Sequence, residues 1–160
     1  MSRRGAISAG LLLYRLRPGL EVLLAHPGGP FWAKKDEGAW TIPKGLVEED
    51  SDLLACATRE FLEETGLLVR GRFLLLNPVR QKSGKTVHAF AVEADPDLAP
   101  FKSNEFELEW PPRSGRKQRY PEIDRIDWFG IETALGKIHT YQQPLLQQLT
   151  SSLASERPRI

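Results

Sequence analysis

Apolar positions in this chain fall in short runs punctuated by turn residues, and the change in their period separates strands from helices. Residues 6–14 (AISAGLLLY) and 20–25 (LEVLLA) are near-continuous apolar runs joined at Arg17-Pro18-Gly19, which predicts a hairpin of two buried strands. Residues 26–40 then form a long loop, rich in glycine yet carrying Phe31, Trp32, Lys34, Lys35 and Trp40. Loops of that length are usually functional or disordered, and the aromatic content argues against disorder. Leu54, Ala57, Phe61 and Leu68 recur at helical spacing, after Asp52 or Ser51 as a capping residue and about a terminating Gly66, and so predict an amphipathic helix. Runs at 67–76 and 86–94 read as strands around the turn Lys82-Ser83-Gly84-Lys85. Residues 123–129 read as a last strand, 131–137 as a short helix, and 142–153 as a C-terminal helix burying Leu145, Leu146, Leu149 and Leu153. The stretch 96–121 reads as an irregular polar insert lying over the domain, and 155–160 as a frayed tail.

Strands around one central helix, with another helix at the end, predict an α/β fold with a mixed sheet between helices. A chain of 160 residues with 41% hydrophobic content suits one domain, placed at 1–154. The net charge of +1 provides no overall field to recruit nucleic acid or an anionic membrane, so phosphate binding has to come from locally placed groups. Cys56 is the single cysteine, which excludes an intrachain disulfide framework and a cysteine-based zinc cage and suits a reducing cytoplasm. The run at 6–14 is short, contains glycine and continues into Arg15-Leu-Arg-Pro, so it reads as a strand and not as a signal peptide or membrane span. Oligomeric state stays open, a homodimer included.

The candidate chemistry sits in residues 45–67, GLVEEDSDLLACATREFLEETGL. Glu60, Glu63 and Glu64 occupy positions i, i+3 and i+4, one face of a helix, where three anions repel unless a cation joins them. Hard oxygen ligands at this spacing suit Mg2+ or Mn2+; the plain alternative is a solvated acidic surface in an unrelated domain. Arg59 lies near Glu63 on the helical wheel, where a guanidinium could fix the orientation of a carboxylate. Trp32, Phe31, Trp40 and Tyr141 are candidates to stack a nucleobase, while Lys34, Lys35, Arg80, Lys85 and Arg116 are candidates for phosphates; Trp110 and Trp128 read as core. His26, His88 and His139 lack metal-ligand spacing and read as satisfied or solvated histidines.

The segment resembles the signature of the Nudix hydrolases, the MutT-like pyrophosphohydrolases: Gly, five residues, Glu, seven residues, Arg-Glu-apolar-x-Glu-Glu-x-Gly-apolar. Gly45, Arg59, Glu60, Phe61, Glu63, Glu64, Gly66 and Leu67 match, whereas Ser51 stands where the pattern has its first glutamate, with Glu48, Glu49, Asp50 and Asp52 around it. The resemblance implies an α/β/α sandwich and hydrolysis, dependent on a divalent metal, of a nucleoside diphosphate linked to another group. A dinucleoside polyphosphate or a nucleoside triphosphate is the expected substrate, and Pro43-Lys44-Gly45 is similar to dinucleoside polyphosphate hydrolases. It also implies that Glu60, Glu63, Glu64 and the Lys44 carbonyl hold Mg2+ or Mn2+, that Arg59 orients the glutamates, and that the Lys44 side chain is free to meet a phosphate. A base is needed for the attacking water; Glu122 is preferred, with Glu105, Glu107 and Glu109 as alternatives. Loss of the glutamate at Ser51 leaves a second reading, a nucleotide-binding or regulatory module of the same fold.

Overall fold

The computed structural model of the chain describes residues 6–48 and 51–155; Glu49, Asp50 and the tail expected to fray beyond Ser155 lie outside the described residues. The expected hairpin is present as β1 (Ile7–Leu16) and β2 (Leu20–Pro27). Next come β3 (Lys44–Leu46), α1 (Leu53–Thr65), β4 (Phe73–Leu75), β5 (Val79–Arg80) and β6 (Thr86–Glu93). The chain continues through β7 (Glu105–Glu109), β8 (Lys117–Pro121), β9 (Ile123–Gly130), α2 (Ile131–Lys137), a 3-10 turn (Thr140–Gln142) and α3 (Gln143–Ser155). No described helix is long and apolar enough to cross a membrane.

The main sheet runs β4-β6-β1-β2-β9, with β3 paired to β1 and β5 to β6. β1 and β6 are parallel and the other pairs antiparallel, so the sheet is mixed. Its central strands β1, β2 and β6 are buried on both faces, which explains why they read as near-continuous apolar runs. Along β1, Ala9, Leu11 and Leu13 pack with Cys56, Ala57 and Phe61 of α1, whereas Leu12 faces the opposite way toward Leu145, Leu146 and Leu149 of α3. The period-two alternation of the strand thus feeds two cores, one per face, and the layers are helix, sheet, helix.

β1 and β2 pair only near their turn, at Tyr14 to Leu16. Beyond it, residues 41–46 wedge between them: Thr41 bridges Ala25 of β2, and Lys44–Leu46 pair with Gly10 to Ser8 of β1. This wedge brings the start of the acidic segment to the middle of the sheet.

α1 begins where Asp52 accepts a hydrogen bond from the Ala55 N–H at 2.8 Å and ends where Gly66 takes φ 73°, its N–H bonding the Leu62 carbonyl at 2.7 Å. A side chain at φ above zero is strained, so glycine is the natural residue there. Asp52→Ala should remove the cap and cost about 1 kcal/mol, a fall in Tm of about 2–4 °C for a chain of this size. Scanning calorimetry checks this; an unchanged Tm would show the bond carries no net stability.

Three expectations need correction. Leu68 is 60% exposed, because the helix ends before it, and Leu67 and Val69 enter the core instead. Strand structure in 67–76 is confined to Phe73–Leu75, since the chain needs the preceding residues to cross from α1 to the sheet edge. The insert 96–121 is not irregular: it holds a separate two-stranded antiparallel sheet, β7–β8, whose Phe106 and Tyr120 pair on one face while Glu105, Glu107, Arg119 and Lys117 occupy the other.

Candidate active site

Gly45 is the first fixed point of the site. It lies in β3 opposite Ala9, and a Cβ there would overlap the carboxylate and Cγ of Glu60. The bare α-carbon lets Glu60 lie flat against the strand. One turn along α1, Glu64 Oε2 accepts the Lys44 N–H at 3.0 Å. Two helix carboxylates are therefore clamped to successive residues of β3, which explains the need for glycine and a short strand before the helix.

The third carboxylate goes elsewhere. Glu63 is half exposed and faces Arg59, whose Nε lies 3.9 Å from it, while Arg59 Nη2 lies 3.4 Å from Glu60 Oε1 and 3.7 Å from Cys56 Sγ. Arg59 thus bridges Glu60 and Glu63. Burial, more than any neighbour, raises the Glu64 carboxyl to about 8, offset in part by the Lys44 ammonium and raised further by the charges of Glu60 and Glu122. Glu60 is also raised, first by burial and then by Glu63, with Glu122 contributing.

As the side chains stand, no three His, Cys, Asp or Glu among the described residues gather closely enough to hold a metal ion directly. Each glutamate instead takes the nearest donor: the Lys44 N–H for Glu64 and the guanidinium for Glu60 and Glu63. The donor set nonetheless fits a hard divalent cation. It is all oxygen, and the burial and mutual repulsion that raise Glu60 and Glu64 are what an added positive charge relieves.

Glu64 opens onto a cleft of about 310 Å3 that Lys44, Trp32, Lys85, Glu122 and Tyr141 also line. Glu122 is held through its backbone: its N–H donates to Asn104 O at 2.8 Å and its carbonyl accepts from Gly28 at 2.9 Å. The alternatives stand away from the cleft on the outer face of the β7–β8 hairpin, where Glu105 meets Arg119 at 3.3 Å, Glu107 meets Lys117 at 3.7 Å, and Glu109 accepts the Gly115 N–H.

The cleft does not gather every expected residue. Lys34 is exposed and outside its lining, as is Lys35, whose ammonium lies 5.0 Å from the Trp32 ring centre and whose carbonyl bonds His26 Nε2 at 2.6 Å. Trp40 is no stacking platform: it is 3% exposed, edge-on to His26 and Phe129. Phe31 packs edge-on against Trp110, so Trp110 belongs to the contact between hairpin and loop and not to a core. Trp128 is half-buried beneath Arg15, at 4.2 Å. His26 is fully buried with both ring nitrogens bonded, Nδ1 to Asp124 at 2.7 Å, as expected of a satisfied histidine.

Gln81 and His139 line the cleft unanticipated by the sequence reading. Gln142, expected as the first residue of the C-terminal helix, instead closes the 3-10 turn with its side chain buried. A histidine and glutamines beside Tyr141 were the available signal, but nothing in their spacing distinguishes them from surface residues.

Comparison with known proteins agrees with this geometry. The NUDIX domain family model matches residues 6–149. An RNA pyrophosphohydrolase of Caulobacter vibrioides is 41% identical over 56 residues, 32% of this chain and 33% of the relative. The NAD-capped RNA hydrolase NudC of Vibrio cholerae is 27% identical over 150 residues, 91% of this chain and 47% of its own. The chain thus spans between a third and a half of the length of these curated relatives. Among solved structures, a C. elegans Ap4A hydrolase binary complex superposes with TM-score 0.64 at 22% identity, covering 92% of this chain and 98% of that one. The NUDIX domain of Shewanella oneidensis NrtR, complexed with ADP ribose, gives 0.66 at 16% identity, covering 95% and 90%. With the family model covering residues 6–149, the sheet and the glutamate helix included, the chain belongs to the Nudix family.

Proposed function

We propose that this chain is a pyrophosphohydrolase dependent on a divalent cation, acting on a nucleoside diphosphate linked to another group, with a dinucleoside polyphosphate or nucleoside triphosphate as substrate. The observation that carries the reading is the clamp of Glu60 and Glu64 on β3 beside a cleft that Glu122 also lines. Glu60, Glu63 and Glu64 with the Lys44 carbonyl would hold Mg2+ or Mn2+, which when bound neutralises phosphate charge and acidifies a water. The chain's own groups do the rest. Arg59 keeps Glu60 and Glu63 in place, a Glu122 carboxylate oxygen takes the proton of the attacking water, and the Lys44 and Lys85 ammonium groups meet phosphate oxygens. Trp32 offers an aromatic face to a base at the cleft wall. A small nucleotide suits a cleft of about 310 Å3 on a chain of net charge +1; the relatives' names add RNA ends to the substrates worth trying.

The test is product release from dinucleoside polyphosphates, nucleoside triphosphates, nucleotide sugars, and triphosphorylated or NAD-capped RNA, with Mg2+ or Mn2+. Cleavage of a small nucleotide, abolished by chelation, is the expected result. A nucleotide that binds and stays intact across the panel would replace the enzyme reading with that of a regulatory module.

A further inference from the structure

Gln142 is fully buried, and its amide has one workable orientation. The Ile42 N–H donates to it at 3.1 Å, so the atom receiving that bond is Oε1. The other end is then Nε2, which donates to the Tyr141 hydroxyl oxygen at 2.9 Å. With its oxygen accepting, Tyr141 keeps its own proton to donate elsewhere, and Tyr141 lines the cleft. His139 stands edge-on to Tyr141 with ring centres 4.6 Å apart, and its Nδ1 accepts the Tyr141 N–H at 3.4 Å, which in a neutral ring leaves the proton on Nε2. β5, which leads into the turn bearing Gln81 and Lys85, packs against this 3-10 turn. Tyr141 thereby presents a donor on one wall of the cleft, whereas Glu64 and Glu122 supply acceptors elsewhere on it.

We infer that Tyr141 is a specificity-determining donor, oriented by Gln142, that recognises an acceptor atom on the substrate. The inference deepens, and rests on, the nucleotide pyrophosphohydrolase reading of the same cleft. Such an acceptor comes from one of two sources, a phosphoryl oxygen or an unprotonated ring or carbonyl atom of the base.

Calorimetric binding to the full chain with Mg2+, using a methylene-bridged analogue of ATP and, separately, inorganic tripolyphosphate, tests it. Tyr141→Phe should weaken binding of the analogue about tenfold, the usual effect of losing one such bond. Gln142→Glu should weaken it equally, because its carboxylate accepts from both the Ile42 N–H and the Tyr141 O–H and so reverses the bond; the double variant should be no worse than either. Equal weakening for tripolyphosphate identifies a phosphoryl oxygen, and weakening of the nucleotide alone identifies the base. Analogue affinity of Tyr141→Phe within twofold of wild type, or no binding of the analogue by the wild type, overturns the proposal. Weakening in Tyr141→Phe but not in a folded Gln142→Glu removes the role of Gln142, and if Gln142→Glu fails to fold, Tyr141→Phe decides alone. Binding is read independently of turnover, so a silent substrate panel sinks the enzyme reading without deciding this one.

Discussion

Replacing Glu64 by glutamine is expected to lower kcat about 10³-fold, a loss of about 4 kcal/mol of transition-state stabilisation. The substitution keeps the shape and the acceptor for the Lys44 N–H while deleting the charge most deeply placed in the site. It also has a signature in stability. The folded carboxyl is raised from 4.5 to about 8, so folding favours its neutral form. Below pH 4.5 both folded and unfolded chains hold the proton and nothing is lost; as pH rises toward 8 the unfolded chain ionises first, and the folded state loses stability relative to it. In chelator, the Tm of the wild type should therefore fall relative to Glu64→Gln between pH 4.5 and 8. Saturating Mn2+ should raise the wild-type Tm more at pH 8 than at pH 6, since a metal-bound carboxylate must be ionised. Parallel Tm curves in chelator would show that burial does not hold the Glu64 proton, whereas near-normal turnover in the variant, or an equal Mn2+ effect on both proteins, would remove Glu64 as a metal ligand.

The second large effect is expected from a single methyl group. Gly45→Ala should lower kcat/KM about 10²- to 10³-fold, comparable with misplacing a catalytic group by about 1 Å or with losing one preorganised charge. The new Cβ would occupy the space of the Glu60 carboxylate, and the obstacle is the far end of a flexible side chain, so Glu60 moves and the fold survives. Gly45 does not adopt a left-handed φ, so the effect is one of space and not of backbone strain. Shortening the displaced acid should recover part of the loss: Gly45→Ala with Glu60→Asp should be more active than Gly45→Ala alone. A Gly45→Ala enzyme within threefold of wild type would show that Glu60 has room to work from another position.

The helix of the site was legible because its determinants are local. A cap at Asp52, a glycine at 66 and carboxylates at i, i+3 and i+4 need only three neighbouring turns of chain to be interpreted. Strands buried on both faces, such as β1 and β6, were equally visible as apolar runs. β3 was not, because three residues including a glycine form a strand only when β1 lies beside them. The β7–β8 hairpin does carry alternation, Phe106 and Leu108 between glutamates, yet its outer positions are so heavily charged that the stretch reads as solvated coil. The loop residues of the site separated for a similar reason. Trp32 and Trp40 look alike in sequence, and only the bond from Trp40 to Asp36 and its contacts with Phe129 and His26 send it inward while Trp32 stays at the cleft.

The hairpin's attachment divides it into a part that matters for position and a part open to drift. Its root is closed by the Asn104 and Glu122 backbone bond and tied to α1 through Asn104 N–H on the Glu63 carbonyl, and Phe106 rests on Gly29. Further out, Trp110 still rests on Phe31 of the loop, and the turn at residues 111–116 beyond it is exposed. Lengthening a surface turn adds little closure entropy, so that distal end is where insertions, affinity tags or grafted loops can be carried. The root keeps its geometry, making the hairpin a natural handle for engineering.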